Sequence, residues 1–311
     1  MRLIFMGTPA FALPSLLKLL DSDHEVLAVV TRPDRPRGRG LKESSPPVKD
    51  LAVSRGLPVL QPEYLKDPVF IRQLSQYRAD LFAVVAFRIL PREIVTMPPK
   101  GTIDLHPSLL PRYRGAAPIQ WAIINGEKRT GVSVFFIGET IDAGDIIRQQ
   151  EVPIDPDETA GELSEKLSRV SAAVLSKVID DMDRGEVNTV KQTEAEPSAA
   201  PKITRQHGLI RWDRTALEIK NLIRGLNPKP GAYTSFAGKT IKLYRAELAG
   251  PSQDGAGPGE MTAADVHSGL VVNTADGQLS LTEVQLEGKR KMSSAEFLKG
   301  FRLQIGDLFE S

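Results

Sequence analysis

The hydrophobic and polar positions follow two regimes along the chain, with a change near residue 186. Residues 2–6 form an apolar run closed by Gly7-Thr8-Pro9; Leu13, Leu16, Leu17 and Leu20 then recur at helical spacing, and residues 25–30 form a second run. That succession predicts a βαβ start. Residues 31–50 (TRPDRPRGRGLKESSPPVKD) are dense in Pro, Gly and Arg, which predicts a surface loop that is neither strand nor helix for most of its length. Beyond it the pattern predicts helices over 51–55 and 69–76, a short strand over 58–60, and a strand over 81–87 (LFAVVAF) whose unbroken apolar character fits burial on both faces. Further strands are predicted over 101–106, 131–137 and 145–154, with a helix over 118–125 opening on a proline in its first turn. From 159 to 184 apolar residues recur every three or four positions, a long amphipathic helix that Gly185 ends. The alternation predicts an α/β domain with an open, mostly parallel sheet over residues 1–185.

Residues 186–206 begin with a polar stretch, EVNTVKQTEAEPSAAP, that has no sustained period and reads as a linker. Over 207–311 the patterning turns to period two. One helix over 216–226 precedes AYTSFAG, KTIKLYRAELA, GLVVNTADG and QLSLTEVQLEG, which predict a small antiparallel barrel or sandwich. Residues 250–259 read as a loop, and 293–301 as a last short helix capped by Ser293 or Ser294.

Composition narrows the class. A chain of 311 residues exceeds the size at which one core usually stops growing, which agrees with two domains. No uncharged apolar run approaches the ~18 residues of a membrane span. The opening MRLIFMGTPAF breaks at Gly7 and Pro9 and lacks a small-residue cleavage site, so it reads as a buried strand rather than a leader. The absence of cysteine excludes a disulfide framework, a thiolate metal site and a cysteine nucleophile, and suits a reducing cytoplasm. Gly7-Thr8-Pro9 also lacks the G-x-G-x-x-G of a dinucleotide enzyme.

The densest chemistry lies in Asp104-Leu105-His106-Pro107-Ser108-Leu109-Leu110-Pro111, followed by the small-residue patch RGAAP. His106 ends a strand, where open α/β sheets bind ligands. A second polar cluster, Glu139 to Asp145, would reach the same edge if the two strands are neighbours. Asp142 or Asp145 beside His106 would make a proton-transfer pair suited to neutral pH.

SLLPRYRGAAPIQ after a strand ending in x-H, then TGVS and IDAGDI, closely resembles the methionyl-tRNA formyltransferase family. So do IFMGTPAFA, TRPDRPRGRG, VVAFRILP with MPPKG, RWDRTALEI and NPKPGAY, collinear over nearly the whole chain. The resemblance implies a Rossmann-like formyltransferase domain followed by an OB-like barrel, and formyl transfer from 10-formyltetrahydrofolate to the α-amino group of initiator methionyl-tRNA, with no metal. It implies that His106 assists proton transfer and holds the oxyanion while Asp142 orients the imidazole. Ser108, Leu109, Leu110, Pro111, Phe87 and Ile89 would line the folate site. One residue departs from the pattern. Asp104 stands where the family has an asparagine whose amide would donate to the oxyanion, and an ionised carboxylate donates nothing.

Net charge is +1, which as an average argues against a nucleic-acid partner, yet the charge is unevenly placed. Residues 32–42 hold five basic residues against one acid, and residues 202–311 hold 15 against 12. The resemblance brings Arg35, Arg37, Arg39 and Lys42 to the tRNA acceptor end. The expected protein is a cytoplasmic monomer acting on tRNA. Two alternatives stand beside it: a folate-dependent formyltransferase for a small amine, and a catalytically weakened tRNA-binding protein, the latter motivated by Asp104.

Overall fold

A computed structural model describes residues 1–37, 42–193 and 197–310. By contacts the chain divides into two units, one of residues 1–115, 129–153 and 164–200, the other of residues 116–128, 154–163 and 201–311. The first unit therefore takes in residues 186–200, and the second takes in the helix that opens on Pro118.

In chain order the elements begin β1 (Arg2–Gly7), α1 (Leu13–Leu20), β2 (Glu25–Val30), β3 (Arg35–Arg37), β4 (Lys42–Ser44), α2 (Pro47–Ser54), β5 (Val59–Leu60), α3 (Pro68–Ser75) and β6 (Leu81–Val85). They continue α4 (Arg92–Val95), β7 (Thr102–His106), α5 (Pro118–Ile124), β8 (Arg129–Phe136), β9 (Ile146–Pro153) and α6 (Ala160–Arg184). The first unit is built on a seven-stranded sheet of order β5-β2-β1-β6-β7-β8-β9, parallel from β5 to β7 and antiparallel from β7 onward. Every residue of β6 is buried, as its continuous apolar run demands of a strand covered on both faces. Proline stands in the first turn of α1, α2, α3 and α5, supplying a fixed φ where no N–H partner exists, and Asp67 caps α3 by accepting from Val69 N at 2.9 Å.

The strand order reverses between β1 and β6, so the crevice beyond their carboxyl ends is the switch point at which such sheets bind ligands. A Cβ on Gly7 would meet the Val85 carbonyl at 3.0 Å, so that end of the crevice is lined by closely packed backbone.

Three local readings are corrected. The basic loop contains a two-stranded antiparallel ribbon, β3 with β4, and α2 starts at Pro47 rather than 51. A ribbon of three residues a side, Arg-Pro-Arg against Lys-Glu-Ser, carries no hydrophobic alternation, so periodicity passes over it. β8 runs antiparallel to β7, with Ile103 opposite Phe136 and His106 opposite Ser133, so the two polar clusters do not leave from the same sheet edge.

The second unit holds α7 (Ala216–Gly225), β10 (Ala232–Phe236), β11 (Lys239–Gly250), β12 (Met261–Asp265), β13 (Gly269–Asn273), β14 (Gln278–Leu286), β15 (Met292–Ser293) and α8 (Ser294–Gly300). β12 follows the 250–259 loop and was masked in the sequence by small residues. The antiparallel sheet runs β10-β11-β14-β13-β12, with β15 on β14. Residues 307–310 then bridge its two edges: Glu310 pairs with Ser235 beside β10, and Leu308 pairs with Glu260 beside β12. That closes the sheet around Trp212, which stacks on Phe309 with ring centres 5.6 Å apart. Thr215 and Glu218 form a reciprocal capping box on α7, and Ser293 caps α8 by accepting from Glu296 N.

Candidate active site

β7 alternates in the ordinary way, sending Ile103 and Leu105 to one face and Asp104 and His106 to the other. His106 is buried, 6% exposed, and its Nε2 lies 2.8 Å from the Tyr113 carbonyl. A carbonyl only accepts, so Nε2 carries the proton and Nδ1 is the free nitrogen of the neutral ring. Nδ1 faces Asp142 Oδ2 at 3.8 Å. That is too long for a hydrogen bond, so the pair interacts through charge, and it is the Tyr113 carbonyl that orients the imidazole. Asp142 Oδ2 instead accepts from Gly115 N at 2.8 Å.

The segment carrying Asp142 leaves β8 at the amino end of β7, where Ile137 N donates to Thr102 O, and folds back over the sheet face to reach His106. Asp145, the other carboxylate weighed for this role, ends the loop with its carbonyl bonded to Phe136 N. Burial drives the His106 pKa down; Asp142 and the Tyr113 bond oppose it without cancelling it. The balance favours the neutral ring. Asp104 is pushed up to about 7, first by desolvation and then by repulsion from the Asp142 carboxylate. Near neutrality a large share of it is a carboxylic acid, with an O–H to donate.

The residues expected at the folate site divide into two groups. Ser108 is fully buried and donates to the Arg112 carbonyl at 2.6 Å, while Leu110 is buried and its N–H donates to Ser133 Oγ. These two shape the turn. Leu109 and Pro111 are half-buried; Phe87 is half-buried beneath the Arg88 guanidinium, and Ile89 is 74% exposed. The loop bearing Phe87 and Ile89 leaves β6 beside the end of β7, since Val85 pairs with Leu105.

Among the basic residues, Arg35 is exposed and 3.5 Å from Glu63. Asp34 at the ribbon's base is paired with Lys49, and Gln61 bonds both Asp34 and the Arg32 carbonyl. The backbones of Arg37 and Lys42 are paired in the ribbon, and Arg39 lies outside the described residues. Sequence reasoning missed the Tyr113 carbonyl, the Gly115 N–H and Gln192, which holds the Asp142 loop. Only Gly115 left a signal, inside the RGAAP patch.

The family model for a formyl transferase matches residues 1–179, and that for a formyl transferase C-terminal domain matches residues 202–302. The chain is 46% identical over 307 residues to the methionyl-tRNA formyltransferase of Pelotomaculum thermopropionicum, spanning 98% of this chain and 97% of that one. It is 43% identical to that of Caldanaerobacter subterraneus subsp. tengcongensis over the full length of both. The fold is similar to that of HypX from Aquifex aeolicus in complex with tetrahydrofolic acid (TM-score 0.65, 20% identity, 98% of this chain and 50% of that one). It is also similar to a methionyl-tRNA formyltransferase from Clostridium thermocellum (TM-score 0.57, 19% identity, 80% and 94%).

Proposed function

This chain belongs to the methionyl-tRNA formyltransferase family, and from that premise we propose that it transfers the formyl group of 10-formyltetrahydrofolate to the α-amino group of methionine on initiator tRNA, for translation initiation. The observation that carries the reading is the committed tautomer of His106: Nε2–H spent on Tyr113, and a basic Nδ1 set against the Asp142 carboxylate.

The reaction is acyl transfer. The neutral α-amine attacks the formyl carbon, negative charge gathers on the formyl oxygen and the attacking nitrogen loses a proton; the adduct then collapses by breaking the bond from the formyl carbon to N10, which takes up a proton as tetrahydrofolate leaves. His106 Nδ1 accepts the proton of the attacking nitrogen, and Asp142 stabilises the imidazolium so formed. Asp104, on the same face of β7 and protonated, donates to the oxyanion in place of the family's asparagine amide. The proton-poor form of Asp104 would repel that charge. Its raised pKa leaves the donor form available near neutral pH, consistent with an active enzyme, as the relatives' activity also favours.

Ile89 and Phe87 present apolar surface beside the end of β7 and suit a flat pterin ring, with Leu109 and Pro111 completing the wall. Ser108 and Leu110 serve by holding that turn in shape. The basic segment 32–42, with Arg35, Arg37, Arg39 and Lys42, contacts tRNA phosphates, and the second unit adds surface for the same partner. We read the protein as a monomer of the cytoplasm, a compartment that suits a cysteine-free chain.

The test is an assay with 10-formyltetrahydrofolate and methionyl initiator tRNA, run beside free methionine and an amino sugar. Rapid formylation of the tRNA alone is expected. Preference for a small amine would replace the reading with the other formyltransferase class.

A further inference from the structure

Residues 190–200 look like spacer in the sequence, polar and aperiodic, yet in the first unit residues 190–193 and 197–200 are bonded to the segments that form the site. Val190 exchanges both backbone hydrogen bonds with Ile146 at the start of β9, 2.8 Å each. At the other end, Arg114 N donates to Ser198 O at 2.8 Å and Ala200 N donates to Arg114 O at 2.7 Å. Ser198 Oγ accepts from Tyr113 N at 2.8 Å, so the residue whose carbonyl orients His106 is itself held by this strap.

Gln192 stands between these anchors with every hydrogen-bonding position of its amide filled. Its Nε2 donates to the carbonyls of Asp142 at 2.9 Å and Gly144 at 2.8 Å. Its Oε1 accepts from Arg114 Nε at 3.2 Å and Arg114 Nη2 at 2.6 Å. The bonds form a closed circuit. Gln192 grips the loop that carries Asp142 and the turn that carries Tyr113, while Gly115 N reaches back to Asp142 Oδ2.

Both gripped segments are in backbone conformations that do not hold themselves. Tyr113 has φ +61° and Asp142 has φ +53°, left-handed values that are disfavoured for a non-glycine residue. Gly115 has φ +123°, and a Cβ there would meet the Ala200 carbonyl at 2.8 Å. Such conformations persist only where surrounding contacts over-determine them.

We propose that Gln192 is a positioning residue for formyl transfer, fixing Asp142 against His106 by clamping the 142–144 backbone to Arg114; the inference rests on the reading of His106 and Asp142 given above. Gln192 touches neither the ring nor the Asp142 carboxylate directly. Its effect passes through the loop it holds, and a shift there of about 1 Å is worth about 10²-fold in rate.

The experiment compares Gln192→Ala and Gln192→Glu with the unaltered enzyme, measuring kcat, both KM values, the pH dependence and thermal unfolding. Glu keeps an acceptor for Arg114 but removes both donors and sets a carboxylate against two carbonyls. Both variants are expected to lose about 10–100-fold in kcat with KM values within about twofold. The acid limb of the pH profile should move to lower pH, because Asp142 no longer raises the His106 pKa. A kcat within twofold overturns the inference, as does a loss of activity that follows the fraction unfolded with the acid limb unmoved. His106→Asn and Asp142→Asn are run alongside. Full activity in those two would bring down the underlying reading, whereas their collapse beside normal Gln192 variants would bring down this inference alone.

Discussion

His106 and Tyr113 are joined by one hydrogen bond, ring Nε2–H to main-chain carbonyl at 2.8 Å, and that bond decides which nitrogen is basic. A side-chain partner at this position could be lost by substitution. A main-chain carbonyl is lost only if the turn itself moves.

The first expectation concerns that nitrogen. His106→Ala should lower kcat for formyl transfer by about 10²–10⁴-fold, the usual worth of a positioned acid or base, with little change in either KM. Single-turnover transfer from 10-formyltetrahydrofolate to charged tRNA measures it directly. A drop confined to KM would assign the ring to binding.

Asp104 yields a prediction in pH. With Asp104 needed in its protonated form and held at about 7, activity should rise as His106 loses its proton at low pH and fall as pH climbs above about 7. Asp104→Asn supplies a permanent donor, so its alkaline fall should vanish while the acid limb stays. An alkaline limb of equal size in the variant would show that Asp104 is not its source.

The same residue predicts stability. The folded pKa, about 7, lies above the unfolded value of 3.8, so the folded state binds more protons between them and stability falls as pH rises through that window. Asp104→Asn should therefore be more stable than the unaltered protein at pH 8, by on the order of a few kcal/mol, and about equally stable near pH 4. Denaturation at the two pH values tests the sign.

For the basic ribbon, Arg35→Ala should raise KM for tRNA, leave KM for the folate unchanged, and flatten the dependence of log kcat/KM on log salt by about one. An unchanged salt slope would mean that Arg35 does no more than pair with Glu63.

In the second unit, Phe309→Ala removes a ring only 2% exposed and stacked on Trp212. A loss of about 3–5 kcal/mol is expected for the barrel's unfolding, read from Trp212 fluorescence.

What the sequence made legible follows the physics of each element. The inner strands β1, β2 and β6 are apolar runs with no competing pattern, and the long helix has a stripe and a glycine stop. The residues alone left Asp142 and Asp145 both open beside His106, the family resemblance singled out Asp142, and the antiparallel turn of β8 left no trace. Gln192 was illegible for a definite reason. Its partners are two main-chain carbonyls and a guanidinium, and carbonyls leave no trace in residue identity. The β3–β4 ribbon and β12 escaped because RPR, KES and MTAAD carry no regular alternation of apolar and polar residues.

The strap has a practical consequence for anyone dissecting this protein. A fragment cut after the long helix, at the glycine where a catalytic domain would naturally be ended, keeps all seven strands of its sheet along with His106 and Asp142. It would nonetheless lack the chain that pins Tyr113, Arg114 and Asp142. Such a fragment is expected to fold and remain inert, and extending it to Ala200 is what should restore the chemistry.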